Sequence, residues 1–150
     1  MTIATAVLGI LLLPVVVLAA VDADRFLQTI TLASGRIAVV AEGEFEPRSI
    51  GSFSVRLYSG KNPEFPMDDF LVGVIHERDG SVEQAVLADV DGDGRDEIVV
   101  IVRNAGSGHY LSAHAFAIGK QRLVVRASVI GLASDADPVS ALKQTKRKRK

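Results

Sequence analysis

From residue 29 onward apolar and polar positions alternate with a period of two rather than about 3.6, the signature of strands half-buried against a core. The segment TITL (29–32) puts Ile30 and Leu32 on one face and Thr29 and Thr31 on the other. After the turn ASGR, IAVVAEG (37–43) runs back. In SFSVRLYS (52–59), Phe53, Val55 and Leu57 point one way and Ser54, Arg56 and Tyr58 the other. KNPEFPMDD (61–69) holds two prolines and reads as loop. FLVGVIHER (70–78) and VEQAVLADV (82–90) are the next strands, and Asp79-Gly80 between them is a hairpin signal. A DGDG turn leads to 97–103, where EIVVIV is apolar without a break, as in a sheet interior. The loop NAGSGHY (104–110) leads into a strand over 109–118, and Gly119-Lys120 into QRLVVRASV (121–129). Asp137-Pro138 supplies an N-cap and a first helical residue, which predicts a short helix through Leu142. About eight strands joined by short turns predict an all-β antiparallel sandwich or barrel. No internal repeat occurs, so a propeller is not expected.

At 150 residues the chain is one domain with tails. It has no cysteine, which removes disulfides, thiolate metal sites and thiol nucleophiles. The net charge of −1 hides an uneven distribution. The last eight residues, KQTKRKRK (143–150), carry six basic groups and no acid, and read as a solvated, disordered tail. Without those six, 11 basic residues face 18 acidic ones, a body at −7. Such a body favours a basic partner and argues against nucleic acid.

At the other end, IATAVLGILLLPVVVLAA (3–20) has no charge and ends in small residues. Residues 1–20 read as a signal peptide cleaved between about 19 and 23. The run lacks the usual basic residue ahead of it and approaches the length of a membrane anchor; Pro14 and the alanine-rich exit favour cleavage. The expected product is a periplasmic protein, free of the membrane after cleavage, with its sandwich domain at 24–142.

The most conspicuous motif is DVDGDGRDE (89–97). Asp89, Asp91 and Asp93 occupy alternate positions of a tight turn, with Glu97 further on. Alternate acids of this kind can supply oxygens to Ca2+. Val100 stands where an EF-hand needs its bidentate Glu, and a strand follows instead of a helix. The competing reading is an Asp-Gly turn held by side-chain-to-backbone hydrogen bonds, with Arg95 among the acids and no ion required. His109 and His114 are five apart and face opposite sides of a regular strand, while His76 lies on another strand. Isolated surface or packing roles are expected for all three. No Gly-x-Ser-x-Gly elbow, phosphate loop or dinucleotide fingerprint occurs, so an enzyme is not expected.

The loop at 104–110 has two readings on spacing alone. In the first it is a hairpin connection whose Gly106 and Gly108 take positive φ, with Tyr110 packing at the strand start. In the second, Ser107 and Tyr110 are displayed on a narrow edge, and the small residues beside them let that edge enter a cleft.

Over TLASGRIAVVAEGEFEPRSIGSFSVRLYS (31–59) and, more strongly, LADVDGDGRDEIVVIVRNAGSGHYLSAHAF (87–116), the chain resembles the periplasmic inhibitors of i-type (invertebrate) lysozyme. The likeness covers about Thr29 to Leu142 and leaves out the leader and the basic tail. It implies a secreted bacterial β-sandwich, a homodimer, that protects the cell wall from lysozyme and needs no cofactor. The family's Ser-Gly-x-Tyr loop corresponds to Ser107, Gly108, His109 and Tyr110. On this resemblance, residues 106–110 occlude the enzyme cleft. Ser107 and Tyr110 would hydrogen-bond the catalytic carboxyls while Gly106 and Gly108 give clearance. The acidic body would steer a basic lysozyme, acting mainly on association rate. The alternative is a Ca2+-dependent exported binding or adhesion module working through 89–97, which a single copy disfavours.

Overall fold

The computed structural model describes residues 24–147, and the expected leader with its cleavage region lies outside them. Eight strands are formed: β1 (Leu27–Thr31), β2 (Ile37–Glu42), β3 (Ile50–Tyr58), β4 (Phe70–Asp79), β5 (Ser81–Ala88), β6 (Glu97–Arg103), β7 (Leu111–Ile118) and β8 (Leu123–Leu132). They make two antiparallel four-stranded sheets, in order β1-β2-β3-β4 and β5-β6-β7-β8. The fold is an all-β sandwich, and among the described residues one helix, α1 (Pro138–Arg147), packs on the outer face of the second sheet.

The unbroken apolar run of β6 has a specific cause. Ile98, Val100 and Val102 face the space between the sheets, beside Phe53, Val55, Leu57 and Phe116. Val99 and Ile101 face the other way and pack in a second cluster with Ala113, Ala115 and Leu142 of α1. Both faces of β6 are therefore buried, and alternation gives way to continuous hydrophobicity. The alanines of β7 on the helix side keep the sheet low enough for Leu142 to be fully buried. Between the sheets, Phe53 and Phe116 meet edge to face with centroids 5.9 Å apart, and each buried ring contributes about 1.5–3 kcal/mol.

Two expectations change. Asp79-Gly80 does not join a paired hairpin, because β4 and β5 belong to different sheets. It is the corner at which the chain leaves one sheet for the other. Gly80 has φ +117, and a Cβ there would lie 2.0 Å from the Arg103 carbonyl oxygen. Only glycine fits such a corner. The helix also runs to Arg147, beyond Leu142 and into the segment expected to be a disordered tail. Its start is as expected: Asp137 Oδ1 accepts the Val139 N–H at 3.0 Å, and Oδ2 accepts the Ser140 hydroxyl at 2.6 Å. Lys143, Gln144 and Lys146 are good helix formers, and cations near a C-terminus suit the helix dipole.

Candidate functional site

Residues 105–110, which connect β6 to β7, are all exposed. Their backbone is nevertheless closed on itself. The Asn104 N–H donates to the Tyr110 carbonyl at 2.8 Å, and the His109 N–H donates to the Gly106 carbonyl at 3.0 Å, forming a four-residue turn across 106–109. Asn104 Oδ1 accepts the Gly106 N–H at 2.6 Å. Ser107 is thus held at the tip of the turn. Among the described residues, neither the Ser107 nor the Tyr110 hydroxyl has a hydrogen-bond partner, and Tyr110 is 54% exposed.

The glycines do not play the expected conformational part. Positive φ falls on His109, at +46, and not on Gly106 or Gly108. What glycine supplies is room: a Cβ at Gly108 would lie 2.4 Å from the Tyr110 ring, and one at Gly106 would lie 2.8 Å from Asn104 Oδ1. The Tyr110 ring thus packs against Gly108, in the space a side chain there would fill. Tyr110 also belongs to the loop and not to the strand, since β7 begins at Leu111.

The loop is tied to its surroundings by residues that spacing did not single out. Asn104 Nδ2 donates to Asp79 Oδ2 at 2.7 Å. Arg103 forks onto Glu83 at 2.7 and 2.9 Å and donates from Nη1 to the His109 carbonyl at 3.1 Å. Only the Asp-Gly signal at 79–80 hinted that this region mattered, and it pointed to the wrong structure.

Behind the loop a cavity of about 730 Å3 is lined by residues including Ile50, His76, Asp79, Tyr110, His114 and Ile130. Here the histidines depart from their expected isolation. His76 on β4 and His114 on β7 face each other across the sandwich with centroids 4.3 Å apart. Phe53 stacks on His76 at 5.3 Å. His76 Nδ1 is 2.8 Å from the Glu77 carbonyl, and His114 Nδ1 is 3.0 Å from the Ser128 hydroxyl. Burial first, and the neighbouring His76 second, lower the His114 imidazole to about 4. His109 stays on the loop, away from this pair.

The acidic motif folds as a separate turn between β5 and β6. Asp89 accepts the Gly92 and Gly94 N–H groups at 2.7 and 2.9 Å, and these bonds hold its carboxyl below the usual range. Asp93 turns onto Arg95 at 2.6 Å, which lowers its own pKa, and Asp91 meets Arg126 at 2.6 Å. Buried Glu97 accepts the Val90 N–H at 2.9 Å, and desolvation raises its pKa. Oxygens of Asp89, Asp91 and Glu97 come within 4.8 Å of one another; Asp93 stands outside that group.

A family model described as periplasmic lysozyme inhibitor of I-type lysozyme matches residues 24–146. The crystal structure of the periplasmic lysozyme inhibitor of I-type lysozyme from Aeromonas hydrophila is 47% identical, with a TM-score of 0.73 over 78% of this chain and 98% of that one. A second structure, the A. hydrophila inhibitor in complex with Meretrix lusoria lysozyme, matches with the same identity and TM-score over 79% of this chain and 95% of that one. No curated protein sequence matches significantly.

Proposed function

The chain belongs to the family of periplasmic inhibitors of I-type lysozyme, and on that premise we propose that its 106–110 loop enters the cleft of such an enzyme. The observation that carries this reading is the pair of unpartnered hydroxyls, Ser107 and Tyr110, on a turn whose backbone is already hydrogen-bonded. A retaining muramidase works with two carboxyl groups flanking the sugar bond, one protonated and one ionised. A hydroxyl can donate to the ionised one and accept from the protonated one. It also brings no charge of its own that must be stripped of water. Gly106 and Gly108 keep the loop narrow, and His109 turns the backbone so that Tyr110 folds back over Gly108. The chain does no chemistry itself under this reading.

We further propose that inhibition needs no cofactor. Asp89, Asp93 and Glu97 accept backbone N–H groups or Arg95, and Arg126 meets Asp91. The Ca2+-dependent module therefore remains the second reading, supported only by the approach of Asp89, Asp91 and Glu97. We also propose that two copies associate. β4 and β8 are outer strands of their sheets, and each shows an exposed isoleucine, Ile75 at 76% and Ile130 at 79%. Sedimentation of the purified protein checks this, and a monomer at all concentrations refutes it.

The test of the loop is a titration of I-type lysozyme activity with wild type and with Ser107→Ala/Tyr110→Phe. Hydrogen bonds to charged groups contribute about 1.5–3 kcal/mol each. Losing two should raise the inhibition constant about a hundredfold or more. Inhibition equal to wild type would sink the loop mechanism.

A further inference from the structure

We propose that Asp79 and Asn104 are positioning residues: their cross-link between the sheet-switching corner and the loop stem sets the strength of inhibition without touching the enzyme. The inference rests on the loop reading above and deepens it.

Asn104 uses every hydrogen-bonding group it presents to the loop or its neighbour. Its backbone N–H closes the stem on the Tyr110 carbonyl. Its Oδ1 caps the Gly106 N–H at 2.6 Å, and its Nδ2 reaches Asp79 Oδ2 at 2.7 Å, 25 residues away in the chain. Because Oδ1 and Nδ2 sit on one planar amide, anchoring Nδ2 fixes where Oδ1 points. The Gly106 N–H is then held, and with it the start of the 106–109 turn.

The other end of the cross-link is firm. Asp79 is followed by Gly80, whose Cα packs against the Arg103 carbonyl so closely that no side chain fits. The preceding residue, Arg78, is buried, and its guanidinium donates to the carbonyls of Ser52, Arg48, Pro47 and Gly80. It also lies 3.9 Å from the buried Glu42 carboxylate. Asp79 is therefore one residue from a side chain fixed in the sandwich. The path from the core to Ser107 runs through Arg78, Asp79 and Asn104, each step a hydrogen bond or a peptide bond away from the next.

The stem needs such a restraint because its sequence is permissive. Two glycines, a serine and an alanine form the loop, and a free segment of that composition samples many conformations. A binding loop ordered before contact avoids the entropy loss on association. The cross-link transfers that ordering to the free protein.

The experiment measures inhibition constants and amide hydrogen exchange for wild type, Asp79→Ala and Asp79→Asn, each also in the Ser107→Ala/Tyr110→Phe background. Asp79→Ala should weaken inhibition about tenfold and speed exchange at Gly106 and His109 in the free protein, with little change in Tm. Asp79→Asn keeps an acceptor for Asn104 and should restore most of the inhibition. In the double-variant background Asp79→Ala should have little further effect, because the residue acts through those hydroxyls. The proposal is overturned if Asp79→Ala inhibits as wild type does, or if its cost is equally large in the double-variant background. If Ser107→Ala/Tyr110→Phe alone inhibits as wild type, the loop reading falls, and this inference with it; an unaffected Asp79→Ala beside a weakened double variant overturns the positioning role alone.

Discussion

The close His76–His114 pair makes folding stability depend on pH in a defined window. His114 is 7% exposed and is held between the sheets near Phe53 and Phe116, with His76 at 4.3 Å. The cavity wall beside the pair also carries Glu77, Arg78 and Asp79, so both signs of charge face it. An imidazole in the unfolded chain binds its proton near 6.5, whereas in the native site it does so only near 4. Between these values the unfolded state holds more protons, so stability is complete above about pH 6.5 and is lost as the pH falls toward 4. One pH unit of displacement corresponds to about 1.4 kcal/mol, so the full loss is about 3 kcal/mol. The pair lines a pocket that opens to solvent, and screening there lowers that to about 2 kcal/mol. Urea unfolding of wild type and His114→Gln across this window isolates the contribution, because carboxylates elsewhere titrate in both proteins and cancel in the difference. Wild type should lose about 2–3 kcal/mol more than the variant on going from neutral to acidic conditions. Parallel stability curves for the two proteins would refute the assignment.

Two further outcomes follow from the same geometry. Gly108→Ala places a Cβ where the Tyr110 ring now lies, but that ring is exposed and can swing away; the Tm should stay within a few degrees while the inhibition constant rises about tenfold or more. A loss of folding with no selective loss of inhibition would contradict the packing argument. Removing divalent cations with a chelator should change neither the Tm nor inhibition, since protein groups already meet the acids of 89–97; a fall in Tm that added Ca2+ reverses would favour the metal reading.

The fold was legible because period-2 alternation survives in β3 and β4, and because a two-sided burial leaves its own trace in EIVVIV. Strand boundaries moved by up to three residues, as at β8, where 121–129 became Leu123–Leu132. The Asp79-Gly80 corner misled because a turn dipeptide reports only local geometry. Whether the next strand pairs with the last or crosses to another sheet depends on Ser49 and Arg103, far away in the chain. The histidine pair was illegible for the same reason: His76 and His114 are brought together by sheet-on-sheet packing, to which sequence spacing is blind. The proposed loop chemistry, by contrast, lies within seven residues, where spacing alone left two readings and the family resemblance favoured one.

That contrast bears on how such a loop can work at all. A Ser and a Tyr separated by two residues are frequent, and their chemistry alone discriminates nothing. They become useful ligands for a fixed pair of carboxyls only if their separation is fixed too, since a misplacement of about 1 Å removes most of a hydrogen bond. Gly108 sets the Tyr110 ring against the turn, the 106–109 bond sets Ser107, and Asn104 joins the whole to Asp79. The glycines that make the loop narrow also make it soft. The narrower the edge, the more its order must come from outside it, and the contact available for that is the Asn104–Asp79 hydrogen bond to a corner of the opposite sheet. Local sequence therefore specifies which groups are offered, while long-range contacts specify the geometry in which they are offered.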